Sequence, residues 1–430
     1  LTIYVVKPGD SVYAIANAHG VSPESIVTAN GLADPNRLVV GQSLVIPTGS
    51  RVHTVAQGES IYQIARRYGL TAGELLAANP SVTDPAALQP GQVLVIPPAG
   101  EGKLGTIEVN GYIFPGSPEA VVRSWLPSLT YLSIFSYRVN ADGSLNTIDD
   151  EPWITRARAA GVAPVMVVTN IRESGGFSSE IAHAVLNDEA AQSRMIADIQ
   201  ATMRQKKYAA LNVDFEYIFP YDRESYNAFL TRVTGVMHQD GYLVLTAVAP
   251  KLSADQPGLL YEAHDYPFHG RTVDRVILMT YEWGYLAGPP QAVAPLDQVR
   301  RVLDYAVTAI PRDHILMGIP NYAYDWVLPY VRGTLASTFS NIEAVNRAAR
   351  NNAAIRFDAK AASPYFNYYD SRGRQHIVWF EDARSIHAKL LLVQEFGLAG
   401  ISYWTAERPF PQNLYVLNSM YDIKKIPLQG

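Results

Sequence analysis

Leu211-Asn212-Val213-Asp214-Phe215-Glu216-Tyr217 is the stretch on which the reading of this chain turns. Successive side chains of a strand point to opposite faces, so Asn212, Asp214 and Glu216 share one face, with Leu211, Val213, Phe215 and Tyr217 on the other. An apolar face backed by three polar groups in a row is costly to bury unless those groups work together. Two carboxylates this close cannot both ionise freely, so repulsion and burial raise the pKa of one of them. Such a group is suited to give up a proton near neutral pH.

Outward from this segment, short apolar runs alternate with helix-length stretches. The runs fall at 107–114, 131–137, 164–170, 211–217, 243–249, 275–281, 315–320 and 400–404. Eight β-rich runs separated by helices predict a (β/α)8 TIM barrel over 104–430, with 211–217 as its fourth strand. In that fold the chemistry sits at the C-terminal ends of the strands, where Asp214 and Glu216 lie. The gap between the seventh and eighth runs is too long for one loop and helix. It contains a predicted helix at 339–351 and two strands at 365–369 and 376–380 around Asp370-Ser371-Arg372-Gly373. We read a small α+β insertion at about 331–382.

Upstream, the sequence repeats itself. Tyr4-Val5-Val6-Lys7-Pro8-Gly9-Asp10-Ser11-Val12 recurs as His53-Thr54-Val55-Ala56-Gln57-Gly58-Glu59-Ser60-Ile61, and Asn30 aligns with Asn79. The copies span 1–48 and 51–98, and each reads strand, helix, helix, strand. Ser11 and Ser60 are helix N-cap candidates. A short linker, 97–102, leads to the barrel.

Composition narrows the function classes. Of 430 residues, 48% are hydrophobic and 17% charged, enough to bury a large core. A net charge of −5 without Lys/Arg clusters argues against a nucleic-acid surface. Cysteine is absent, which removes disulfides, thiolate metal sites and cysteine nucleophiles. No apolar run is long enough for a membrane span. No signal peptide is visible at Leu1-Thr2-Ile3-Tyr4, unless one has been removed. His264, Asp265 and His269 lie in a Pro-rich, aromatic stretch read as a loop and lack two ligands on one regular element, so no metal or other cofactor is expected. A Ser-His-Asp mechanism lacks a nucleophile elbow.

Two family resemblances follow from these motifs. The repeats resemble LysM modules over nearly their whole length, which implies a βααβ fold that binds N-acetylglucosamine in chitin or peptidoglycan. Carried over, the sugar groove would be lined by Gly9, Asp10, Ser11 and Val12 in one copy and by Gly58, Glu59, Ser60 and Ile61 in the other. The alternative is that these loops are only turns and caps. Asp214 and Glu216 resemble the last two positions of the Asp-x-x-Asp-x-Asp-x-Glu signature of family-18 glycoside hydrolases, with Asn212 and Ala209 departing from it. Met279-Thr280-Tyr281-Glu282 is similar to that family's Met-x-Tyr-Asp, Trp404 to the Trp of its last strand, and Gly111-Tyr112 suits the first.

The resemblance implies a retaining mechanism in which the sugar's own 2-acetamido oxygen is the nucleophile, an exception to the two-carboxylate rule. Glu216 would be acid and then base, Asp214 would orient the acetamido group, and Tyr281 would donate to its carbonyl. Trp404, Tyr112, Asn212, Met279 and Glu282 are the candidate substrate contacts; for Trp404 and Tyr112 core packing is the alternative. With Asn212 in place of an Asp, a neighbouring proton store is missing, so an acid-shifted or narrower pH–rate profile is expected.

The whole architecture resembles spore cortex-lytic N-acetylglucosaminidases. This implies action on β-1,4 bonds after N-acetylglucosamine in cortex peptidoglycan, in association with the cell wall and with the spore coat or cortex; a monomer is expected. A chitinase and a non-catalytic wall-binding lectin are the alternatives; retention of Glu216 argues against the lectin.

Overall fold

The computed structural model describes residues 1–49, 51–98 and 102–428. The middle of the expected linker, residues 99–101, lies outside them.

The two N-terminal copies fold alike. In the first, strand Thr2–Val5 pairs antiparallel with Ser43–Ile46 across helices Val12–His19 and Pro23–Asn30. In the second, Arg51–Thr54 pairs with Val93–Ile96 across Ile61–Arg67 and Ala72–Ala77. Ser11 and Ser60 cap their helices by accepting from the Ala14 and Gln63 amides. The aligned asparagines hold each unit together. Asn30 Nδ2 donates to the Ile26 and Val45 carbonyls at 2.7 and 2.8 Å, while its Oδ1 accepts from Val45 N at 2.8 Å. Asn79 repeats this with Leu75 and Val95. A buried amide satisfied on both sides ties helix to strand where a small core cannot.

The eight barrel strands are β1 Gly105–Ile113, β2 Tyr131–Val139, β3 Ala163–Thr169, β4 Ala210–Asp214, β5 Leu243–Val248, β6 Arg275–Leu278, β7 Ile315–Pro320 and β8 Gly400–Trp404. All pair in parallel, and β8 returns to β1 with Gly400 opposite Glu108, closing the barrel. A side chain on Gly400 would run into the Glu108 carbonyl, its ideal Cβ lying 1.8 Å from that oxygen. Val165, Val167, Leu245, Ala247, Ile277 and Leu316 fill the interior, and the opposite faces of the strands pack on the surrounding helices.

The insertion follows β7 as a five-stranded antiparallel sheet with helix Asn341–Arg350. Its strand Ala323–Leu328 begins earlier than the sequence suggested, because Tyr322, Tyr324 and Trp326, alternating along it, pack into one aromatic cluster. The hairpin strands are Ser363–Tyr369 and Gln375–Trp379. Residues Tyr266–Thr272, read as loop, form a helix capped by Asp265.

The first N-terminal copy is fixed to the barrel domain. Gln412 Nε2 donates to Asn30 Oδ1 at 2.8 Å and to the Ser43 carbonyl at 2.7 Å, while Arg384 donates to the Gly41 carbonyl at 3.1 Å.

Candidate active site

β4 ends at Asp214, and the backbone beyond it is held by three side chains remote in sequence. Asn170, just past β3, accepts from Glu216 N at 3.0 Å and donates to the Glu216 carbonyl at 2.8 Å. His264 Nε2 donates to the Phe215 carbonyl at 2.8 Å, its Nδ1 accepting from Ala249 N at 2.9 Å. Ser179 donates to the Tyr217 carbonyl. Phe215 is fully buried and stacks on Tyr226 and Phe229, each ring centroid 5.9 Å away. The Glu216 peptide is therefore clamped on both sides, which fixes the direction in which its side chain leaves the backbone. The structure corrects one expectation here. Tyr217 does not continue the buried face; it turns into a left-handed conformation (φ 54°) and is exposed.

Asp214 is buried, and its carboxyl is hydrogen-bonded to that of Glu216. Burial raises both pKa values. Glu216 is raised further because the Asp214 charge and the shared hydrogen bond also favour its protonated form. Near neutral pH Glu216 is the member that keeps the proton. Asp214 Oδ1 has no hydrogen-bond partner within the protein.

Asn212, expected to contact substrate, is completely buried; it lies below the pair and donates to the Tyr112 hydroxyl at 2.6 Å. Tyr112 is buried too, in the interior layer with Val165 and Leu245. Both residues therefore form the floor under the carboxylates, for the reason that strands β1 and β4 face each other across a filled barrel. Trp404 closes β8 and remains partly open. Its ring makes edge contacts with Tyr112, Phe114 and Phe135 at centroid distances of 5.2, 5.8 and 5.1 Å.

Tyr281 follows β6. Burial and the neighbouring Tyr112, Asp214 and Glu216 raise its hydroxyl pKa, which keeps it a donor. Its ring needs Gly318 on β7, since a Cβ there would lie 2.7 Å from Tyr281 Cε1. Met279 is partly buried against the interior layer beside Trp404. Glu282 adopts φ 67° and accepts from the hydroxyls of Tyr322 and, at 3.0 Å, Tyr324. The insertion is thus tied to β6, and Tyr322, Tyr324, Trp326 and Trp379 form an aromatic wall continuous with Tyr281 and Trp404.

The histidines considered as ligands have other work. Burial lowers His264 to about 4 and His269 to about 3, and His269 Nδ1 is bonded to Thr246 Oγ1 at 2.9 Å.

Asn170 and His264 had no sequence signal as supports of Glu216, because neither lies in a motif. In the N-terminal copies, two expected sugar contacts are corrected: the Val12 and Ile61 side chains are buried core. The Asp10 carboxylate accepts from Tyr4 and Lys7 N at 2.8 and 2.7 Å, and Glu59 accepts likewise from His53 and Ala56 N. Gly9 and Gly58 supply the positive φ these turns need. Exposed aromatics, Tyr13 and Tyr62, stand next to the buried pair at 68% and 64% exposure. Their identity at aligned positions was the available signal.

Residues 168–408 match the family described as glycosyl hydrolases family 18, and residues 4–47 and 53–97 match LysM domains. The chain is 41% identical to the cortical fragment-lytic enzyme of Bacillus subtilis, with 99% of each covered. It is similar to the crystal structure of the Bacillus megaterium spore cortex-lytic enzyme SleL (TM-score 0.84, 38% identity, 99% of each chain covered). A chitinase from Chromobacterium violaceum matches 73% of this chain and 98% of its own length, at 27% identity and a TM-score of 0.69. The chain belongs to glycosyl hydrolase family 18, its barrel preceded by two LysM domains that bind N-acetylglucosamine-containing glycans.

Proposed function

We propose that this glycoside hydrolase cleaves β-1,4 bonds after N-acetylglucosamine in spore cortex peptidoglycan, or in fragments of it, while its LysM domains keep it on the wall. The full-length similarity to cortex-lytic enzymes supports the substrate class. The observation that carries the chemistry is the buried Asp214–Glu216 pair at the end of β4, with Asp214 Oδ1 unpartnered.

In this mechanism Glu216 gives its proton to the leaving glycosidic oxygen as the C1–O bond breaks. The sugar's acetamido carbonyl oxygen forms the new bond to C1, and positive charge spreads over the resulting oxazolinium ion. Asp214, as the anion, accepts the acetamido N–H and stabilises that charge, while the Tyr281 hydroxyl donates to the acetamido oxygen. Water then adds to C1, its proton passes to Glu216, and the acetamide is restored with retained configuration. Trp404 is the apolar face under the reacting ring. Glu282 is engaged with two tyrosines and does not enter the proton transfers.

Mass-spectrometric product analysis on cortex fragments beside chitin and cellulose oligomers tests this reading. Fragments with N-acetylglucosamine at the new reducing end are expected, and cellulose, lacking the acetamide, stays intact. Cleavage of chitin with none of the cortex fragments would instead favour the chitinase reading that the C. violaceum similarity leaves open.

A further inference from the structure

The two LysM grooves are not equivalent. In the first copy the groove, about 480 Å³, is bounded by Tyr13, Val27 and Pro35 and by other residues of that copy alone. The aligned residues of the second, Tyr62, Leu76 and Pro85, line a cavity of about 870 Å³ whose opposite wall belongs to the barrel domain, including Arg123, Arg156 and Ala159. Arg123 reaches across to Asp84 of the LysM loop at 3.7 Å. One difference between the repeats records this contact. Glu24 of the first copy aligns with Gly73 of the second, and a Cβ on Gly73 would already sit 3.0 Å from the Pro127 carbonyl. A glutamate there would force the Pro127 carbonyl to give way.

We propose that the second LysM groove is a composite site, in which a segment of N-acetylglucosamine glycan lies between Tyr62 and the barrel wall at Arg156 and Ala159. The proposal rests on reading the LysM loops as sugar-contacting. Tyr62 offers a flat exposed ring to a sugar face, and the guanidinium of Arg156, held in place through Nε and Nη2 by Glu119, presents its Nη1 donors to hydroxyl or acetamido oxygens. Arg156 and Ala159 lie on helix Glu151–Ala159, which leads into the N-terminal end of β3, whereas Glu216 lies beyond the C-terminal end of β4. Strands of this length put roughly 20 Å or more between the two ends. The segment held by the second LysM domain is therefore not the segment being cut.

The chain has no cysteine, so a single introduced thiol is a unique label site. Full-length Glu216→Gln protein carrying Ala159→Cys or, separately, Asn36→Cys would be labelled with an environment-sensitive fluorophore. Each would be titrated with the N-acetylglucosamine tetramer, with and without Arg156→Ala. Both labels are expected to respond. Arg156→Ala should weaken binding reported at position 159 roughly tenfold, and leave that at position 36 unchanged. Silence at 159 with a response at 36 overturns the composite site but spares the LysM reading. Silence at both overturns the LysM reading. A response at 159 that Arg156→Ala does not alter removes the barrel wall from the site.

Discussion

At Glu216 a single carboxyl has to be an acid and then a base, and its surroundings set the order. Glu216→Gln is expected to lower kcat about 10²–10⁴-fold while leaving wall binding intact, as turnover and co-sedimentation on the same preparation would show. Loss of wall binding together with turnover would point to a folding defect instead. The same burial has a stability consequence. Both carboxyls have folded-state pKa values above their unfolded values of roughly 4. The folded state therefore favours their protonated forms, and this contribution is complete below pH ~4 and lost as pH rises through the folded values. Glu216→Gln and Asp214→Asn should raise Tm by on the order of 2 °C or more at neutral to alkaline pH, with little gain near pH 4. A Tm difference independent of pH would refute the linkage.

Asn212 also acts at this scale. Replacing it by Asp puts a third acidic group beside the pair, holds protons in the cluster and raises the pKa of Glu216 further. The alkaline limb of kcat/KM for Asn212→Asp should then lie at higher pH than that of the natural protein. An unchanged profile would show that the missing Asp has no effect on proton storage.

Among elements, the arrangement at β3, β4 and β5 decides where Glu216 points. Asn170→Ala removes an acceptor from Glu216 N and a donor from its carbonyl, both made within a mostly buried clamp. We expect kcat to fall on the order of 10²-fold with a smaller change in KM, since misplacement by about 1 Å costs that much. Asn170→Asp, which keeps the acceptor but not the donors, should recover part of the loss. Equal loss in both variants with a collapsed Tm would mean a structural role only. The sequence made β4 and its carboxylates legible because alternation is built into a strand. It did not show the clamp, since Asn170 and Glu216 follow different strands and His264 belongs to a stretch that read as a loop.

Over the whole molecule, the LysM tandem is mounted on the barrel domain at both copies. Gln412→Ala strips two hydrogen bonds from Asn30 and Ser43, which are themselves buried. A cost of about 1–3 kcal/mol is expected, localised to the first LysM domain. Limited proteolysis should then release that domain earlier, while turnover of short soluble fragments stays the same. Early cleavage inside the barrel would contradict this localisation.

Repeats, barrel periodicity and the Asp214–Glu216 pair are properties of neighbouring residues, and backbone geometry alone turns them into faces and ends. The sequence by itself therefore determined the order of domains, the barrel and the carboxylate pair, while burial in the folded site decided that Glu216 is the member that holds the proton. Tertiary structure alone decided that Asn212 and Tyr112 lie beneath the site, that Asn170 and His264 aim Glu216, and that one LysM groove is open and the other walled. Those outcomes depend on contacts between segments far apart in the chain, such as residue 170 with 216 and Gly73 with Pro127, and only packing brings them together.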